Sequence, residues 1–167
     1  MAVVGVLALQ GDFEAHGKML RGLGADVREV RVPADLEGLG EPLREFARSG
    51  APVLGTCAGM IMLDRKHLGV LDIECRRNAF GRQIRSFEAD LRIPGIAGPP
   101  VRAVFIRAPW VDVCGEDVEI LAAVDGHPVA VRQDNVLVIS FHPEIAGETR
   151  LHALFLETVR SSRVNLR

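Results

Sequence analysis

Gly55-Thr56-Cys57-Ala58-Gly59 joins a short apolar stretch, residues 52–55, to an apolar helical one, residues 60–63. A cysteine set between glycines where a buried strand becomes a helix has the pattern of a nucleophile elbow, with sulfur in place of oxygen. The partial positive charge of a helix's first turn favours the thiolate. An arbitrary cysteine is more often a small buried core thiol, but here the flanking glycines and the strand-to-helix setting favour the nucleophile. A second group of titratable residues, His142-Pro143-Glu144, follows the apolar run 136–141. Strand ends of open α/β sheets are where sites assemble. From there His142 can take the thiol proton and later protonate a leaving amine, while Glu144 fixes the imidazole tautomer. Taken alone, that segment reads equally well as a surface loop. Paired with the cysteine elbow, it predicts hydrolysis of a carboxamide by Cys57, His142 and Glu144.

The remaining polar candidates carry less. His16, His67, His127 and His152 have no second ligand close in sequence, so solvated surface positions are expected. Cys75 and Cys114 are assigned to packing. Arg77 and Arg107 each lie beside apolar chain, as snorkelling surface groups do or as a clamp for a substrate carboxylate would. On residue type alone the surface reading is the stronger. No metal and no cofactor are expected, since the three cysteines make no close CxxC pair.

These groups need a frame, and the chain of 167 residues is long enough for one domain with a sizeable core. An apolar share of 48% and a charged share of 25% fit a globular protein. The net charge of −2 shows no electrostatic footprint for nucleic acid or an anionic membrane. An odd number of cysteines suits reduced thiols, and the apolar N-terminal run lacks a basic flank, so a cytoplasmic core strand is expected rather than a signal peptide.

Residues 3–9 are apolar throughout, as in a parallel strand buried on both faces. A helix ending at Gly22 and Gly24, a half-exposed strand over 26–32, a helix over 41–48 and a strand over 52–55 follow. That alternation predicts an α/β fold with a doubly wound, mostly parallel sheet flanked by helices. The second half changes to short strands separated by turns, over 101–107, 118–124, 129–132 and 136–141, which predicts a short antiparallel region. A helix over 149–160 closes the chain, with Leu151, Leu154, Phe155 and Val159 on one face.

At the elbow and at His142-Pro143-Glu144 the chain resembles the class I glutamine amidotransferase family. More narrowly, it resembles the subfamily of glutaminase subunits that serve pyridoxal phosphate synthases. Residues 6–11, 41–46, 77–83, 86–90 and 105–109 all match that subfamily and span nearly the whole chain. The resemblance implies hydrolysis of L-glutamine to glutamate and ammonia, with the ammonia passed to a partner synthase in a hetero-oligomer. It also implies that Arg77, Ile106 and Arg107 hold glutamine, reversing the surface reading of the arginines. Ala58, the residue after the nucleophile, is expected to offer its backbone N–H to the oxyanion. Gln10 and Gly11, at the end of the first strand, are expected near the synthase interface.

The family carries a further strand and a Gly-Gly-Glu-Ser loop between the segments matching residues 36–39 and 40–42, and a shorter stretch between those matching Arg65 and Lys66. Both are absent from this sequence. Deleting a core strand would expose the apolar faces on either side of it, so breaks in the chain are expected at Leu39/Gly40 and Arg65/Lys66. The alternative is a genuine deletion and a non-catalytic regulatory or scaffolding subunit with the same fold. A cysteine peptidase would share the elbow, but the match at residues 105–109 weighs against it.

Overall fold

A computed structural model describes residues 2–7, 13–30, 37–81 and 86–162. The first half alternates strand and helix: β1 (Val3–Leu7), α1 (Phe13–Gly22), β2 (Asp26–Val30), α2 (Glu37–Arg48), β3 (Val53–Thr56) and α3 (Ala58–Leu63). Strands dominate afterwards, with β4 (Ile73–Arg76), β5 (Ser86–Leu91), β6 (Val101–Ile106), β7 (Trp110–Cys114), β8 (Glu119–Val124), β9 (His127–Gln133) and β10 (Val136–Ile139). Helix α4 (Arg150–Ser161) ends the described chain.

The α/β class and the antiparallel second half are as the sequence implies. Parallel pairing occurs in two separate places, β1 with β2 and β3 with β10, and the second pair belongs to a four-stranded sheet of order β3-β10-β9-β8. Strands β4, β5 and β7 were not expected as ladders. The partner of β4 is the distant β7, and β4 carries a register shift between Glu74 and Cys75, whereas β5 pairs with the next strand, β6, and is masked by its own charged residues. The β4–β7 pairing comes from tertiary contact, which alternation within one segment does not reveal.

Apolar side chains explain how the pieces hold together. Phe105, Phe141, Ile139 and Leu151 are essentially buried and tie β6, β10 and α4 into one cluster. A second cluster joins α3 to β4 and β7 through Met60, Leu71, Ile73 and Val111. The β1–β2 pair packs under α1 and α4 through Val4, Leu20, Phe155 and Leu156, and Leu54 of β3 contacts this cluster as well as the first. The site is thus set between α1, α4 and the ends of β3 and β10.

Both junctions where breaks are expected lie within described structure. Leu39 and Gly40 are consecutive residues inside α2, whose start lies four residues before the expected 41, so that Pro42 is within the helix. Arg65 and Lys66 lie in a closed turn. There the buried Asp64 carboxylate accepts from the Lys66 and His67 backbone N–H groups, at 2.9 and 3.1 Å, and the Arg65 N–H reaches the Ile73 carbonyl at 3.0 Å.

Candidate active site

Cys57 sits between β3 and α3 with φ 48° and ψ −103°, a backbone conformation that a residue with a side chain adopts only when its surroundings enforce it. Two backbone bonds do so: the Cys57 N–H donates to the Ile139 carbonyl at 2.8 Å, and its carbonyl accepts from the Met60 N–H at 3.1 Å. Of the two flanking glycines, Gly55 is the one that packing requires. A Cβ there would lie 2.9 Å from Val138 Cγ1, 3.0 Å from Leu63 Cδ1 and 3.1 Å from the Gly59 carbonyl carbon, whereas one at Gly59 would meet nothing within 4 Å. Gly55→Ala is expected to destabilise the fold by about 1–3 kcal/mol through overpacking, and Gly59→Ala by less. Urea unfolding of both variants checks the order.

His142 arrives at the end of β10, the strand beside β3, and its backbone N–H is fixed to the Val104 carbonyl of β6 at 2.8 Å. Its Nδ1 lies 2.7 Å from Glu144 Oε1, and both side chains are largely withdrawn from solvent, at 13% and 1% exposure. The Cys57 thiol and then the hydrogen-bonded Glu144 carboxylate push the imidazole up to about 10, against the opposing effect of burial. Burial works against ionisation of Glu144 too, but its bond to His142 and the nearby His16 hold it below the usual carboxylate range. The structure therefore gathers all three expected residues, with a charged imidazole the favoured state at neutral pH. Ala58 is the first residue of α3, where a backbone N–H has no intrahelical acceptor, and it is exposed.

The arginine segments also converge. Arg77 follows β4 directly, Ile106 ends β6, and the Ala79 N–H donates to the Ala108 carbonyl at 3.1 Å, joining the two loops. Arg107 and Asn78 both have positive φ, 46° and 47°, and both arginines are exposed. Gln10 and Gly11 lie outside the described residues. Cys75 and Cys114 pack against the second apolar cluster as expected, and burial pushes the Cys75 thiol up to about 12, leaving it inert.

Two histidines expected at the surface are not there. His152 is fully buried on α4, and His16 of α1, only 15% exposed, lies between it and Glu144. Their spacing of 136 residues hid the relation, although both fall on the inner faces of amphipathic helices, which is the signal that could have placed them. His67 is bound to Asp64 at 2.7 Å, and His127 stacks on Trp110 with ring centroids 3.6 Å apart.

An elbow cysteine at the end of one parallel strand and a histidine–carboxylate pair at the end of the next define an α/β protein with a candidate thiol–imidazole–carboxylate centre. Comparison with known proteins narrows the class: the chain belongs to the SNO glutamine amidotransferase family, whose model matches residues 36–161. It is similar to the pyridoxal 5'-phosphate synthase subunit PdxT of Parafrankia sp. (strain EAN1pec), with 48% identity over 189 aligned positions covering 95% of this chain and 93% of that protein. The PdxT subunit of Streptomyces avermitilis is 47% identical, with 96% of each chain covered. A crystal structure of a glutamine amidotransferase matches with a TM-score of 0.84 and 39% identity, covering 96% of this chain and all of that one. The 189 positions aligned with the Parafrankia protein outnumber the 167 residues here, so that relative carries positions this chain lacks.

Proposed function

We propose that the chain is the glutaminase subunit of a pyridoxal phosphate synthase, hydrolysing L-glutamine to L-glutamate and ammonia for a partner synthase subunit. The observation that carries this reading is the His142 imidazole bound to the Glu144 carboxylate at the end of β10, beside the strand that delivers Cys57, in a chain that is nearly half identical to PdxT proteins. The Cys57 thiolate attacks the side-chain carbonyl carbon of glutamine, and the oxygen takes up the negative charge facing the Ala58 N–H. His142 gives its proton to the amide nitrogen, the carbon–nitrogen bond breaks and ammonia leaves. Neutral His142 then accepts a proton from water, whose oxygen attacks the glutamyl thioester, and glutamate departs as the thiol is restored. Arg77 and Arg107 are the groups suited to the substrate's α-carboxylate, with Ile106 beside its aliphatic part.

The same reading makes residues 1–167 one glutaminase domain acting in the cytoplasm without a metal or cofactor, with no role in binding nucleic acid or membrane. Among the described residues, no helix is long and apolar enough to cross a membrane. A second reading, a non-catalytic subunit of the same fold, draws on the positions that the Parafrankia relative has and this chain lacks. Ammonia release from L-glutamine, measured for the chain alone and with a cognate synthase, separates the two. Turnover that rises on adding the synthase is the expected result. No ammonia in either mixture would establish the non-catalytic reading, and a chain fully active alone and indifferent to the synthase would remove the coupling.

A further inference from the structure

Glu144 has two carboxylate oxygens, and the triad uses only one. Oε1 is engaged by His142, while Oε2 is buried and makes no hydrogen bond of ordinary length. A buried carboxylate oxygen left bare is costly. The group that faces it is His16, whose Nε2 stands 3.5 Å from Oε2 and 3.3 Å from the Thr56 hydroxyl, the residue just before the nucleophile. The other nitrogen of His16, Nδ1, lies 2.9 Å from Nε2 of His152.

The two histidines constrain each other. His152 is fully buried, and burial, reinforced by the neighbouring His16, pushes it down to about 4, so it is neutral at physiological pH. Its Nδ1 has no hydrogen-bond partner among the described residues. Buried donors without partners are rarer than under-used acceptors, so the proton of His152 belongs on Nε2, donated to His16 Nδ1. His16 must then carry its own proton on Nε2, the nitrogen that faces Glu144.

We propose that His16 is a positioning residue of the glutaminase centre, holding the second oxygen of Glu144 from α1 while His152 of α4 fixes its tautomer. The proposal rests on the triad reading above and extends it by two residues. The chain of contacts runs from Cys57 through His142, Glu144 and His16 to His152, and so ties the catalytic carboxylate to both helices that pack on the β1–β2 pair. A contact of 3.5 Å in the resting protein shortens readily as the neutral His142 regains its proton in the hydrolytic half of the reaction, because catalytic hydrogen bonds tighten in the reacting complex. Among the described residues, the titratable groups facing Glu144 are His142 at its own strand end, Cys57 beyond it after β3, His16 from α1 and, behind His16, His152 from α4. No arginine or lysine among them pairs with this carboxylate.

Two substitutions separate positioning from packing, because the amide of glutamine reaches the place of an imidazole Nε2 and that of asparagine the place of Nδ1. In the chain assembled with its synthase, His16→Asn keeps the contact with His152 and loses the one with Glu144. It is expected to lower kcat roughly ten- to a hundredfold, leave KM for glutamine unchanged and move the acid limb of kcat/KM to higher pH. His16→Gln, which still offers an N–H to Oε2, is expected to recover most of kcat. The Glu144 carboxyl, followed by carbon-13 NMR in the same variants, should titrate higher in His16→Asn than in wild type, and that readout needs no turnover. A wild-type kcat and an unmoved carboxyl titration in His16→Asn would overturn the proposal, as would equal losses in both variants with an unmoved acid limb. Absence of turnover in the wild type, with the carboxyl shift intact, would instead count against the glutaminase reading.

Discussion

Replacing Cys57 with alanine is expected to lower glutamine hydrolysis on the order of a million-fold, the cost typical of removing a covalent nucleophile, while leaving the protein folded. Alanine also has a Cβ, so the backbone at φ 48° and its bonds to Ile139 and Met60 are no more strained than with cysteine. Cys57 is only partly buried, so its truncation leaves little cavity. Circular dichroism and the thermal midpoint should therefore match wild type while ammonia release falls to background. The His142 titration gives an independent check. The thiol contributes most to holding that imidazole up to about 10, so the variant's imidazole should lose its proton at lower pH. Undiminished ammonia release from a clean Cys57→Ala preparation would end the nucleophile assignment.

The proximity of Cys57, His142 and Glu144 was legible because each segment is local. Gly55 and Cys57 mark a turn through chain geometry, and the run 136–141 delivers His142 and Glu144 two residues apart, so period and turn chemistry alone place them at neighbouring strand ends. The helix faces of α1 and α4 were legible in the same way. Their meeting was not. His16 and His152 each look like a solvated polar residue in their own segment, and only the packing of Leu20 on α1 with Phe155 and Leu156 on α4 brings the two rings together.

The strands missed in the middle of the chain have a similar cause. Ser86–Leu91 alternates exposed with more buried positions as a half-buried strand should, but Glu88 and Asp90 dilute the apolar signal. Both carboxylates are paired with Arg102 on the facing strand. The apolar residues that commit this strand are Phe87, stacked on Phe105 with centroids 4.5 Å apart, and Leu91. Helix α2 begins at Glu37, before the expected start at 41, and carries Pro42 inside it.

His142→Asn is expected to be nearly as damaging as loss of the nucleophile, and Glu144→Gln less so. Asparagine can neither relay the thiol proton nor return it to the departing amine, so both halves of the reaction lose their acid–base group. A fall in kcat on the order of 10⁵ to 10⁶ is expected. Glutamine at 144 still accepts a bond from His142 Nδ1 but supplies no negative charge, so the imidazolium loses its second-largest support after the thiol, and a fall of roughly 10⁴ is expected. The sign of the pH effect follows. In wild type the imidazolium persists until pH rises through about 10, and in Glu144→Gln it should deprotonate at lower pH, drawing the alkaline limb of kcat/KM down with it. Groups that act as one unit are not additive, so Cys57→Ala combined with His142→Asn should be no slower than Cys57→Ala alone. Steady-state ammonia release over a pH series, with the three single variants and the double variant side by side, checks the whole order. A Glu144→Gln variant slower than His142→Asn, or a double variant in which the two losses multiply, would show that these side chains do not work as a relay.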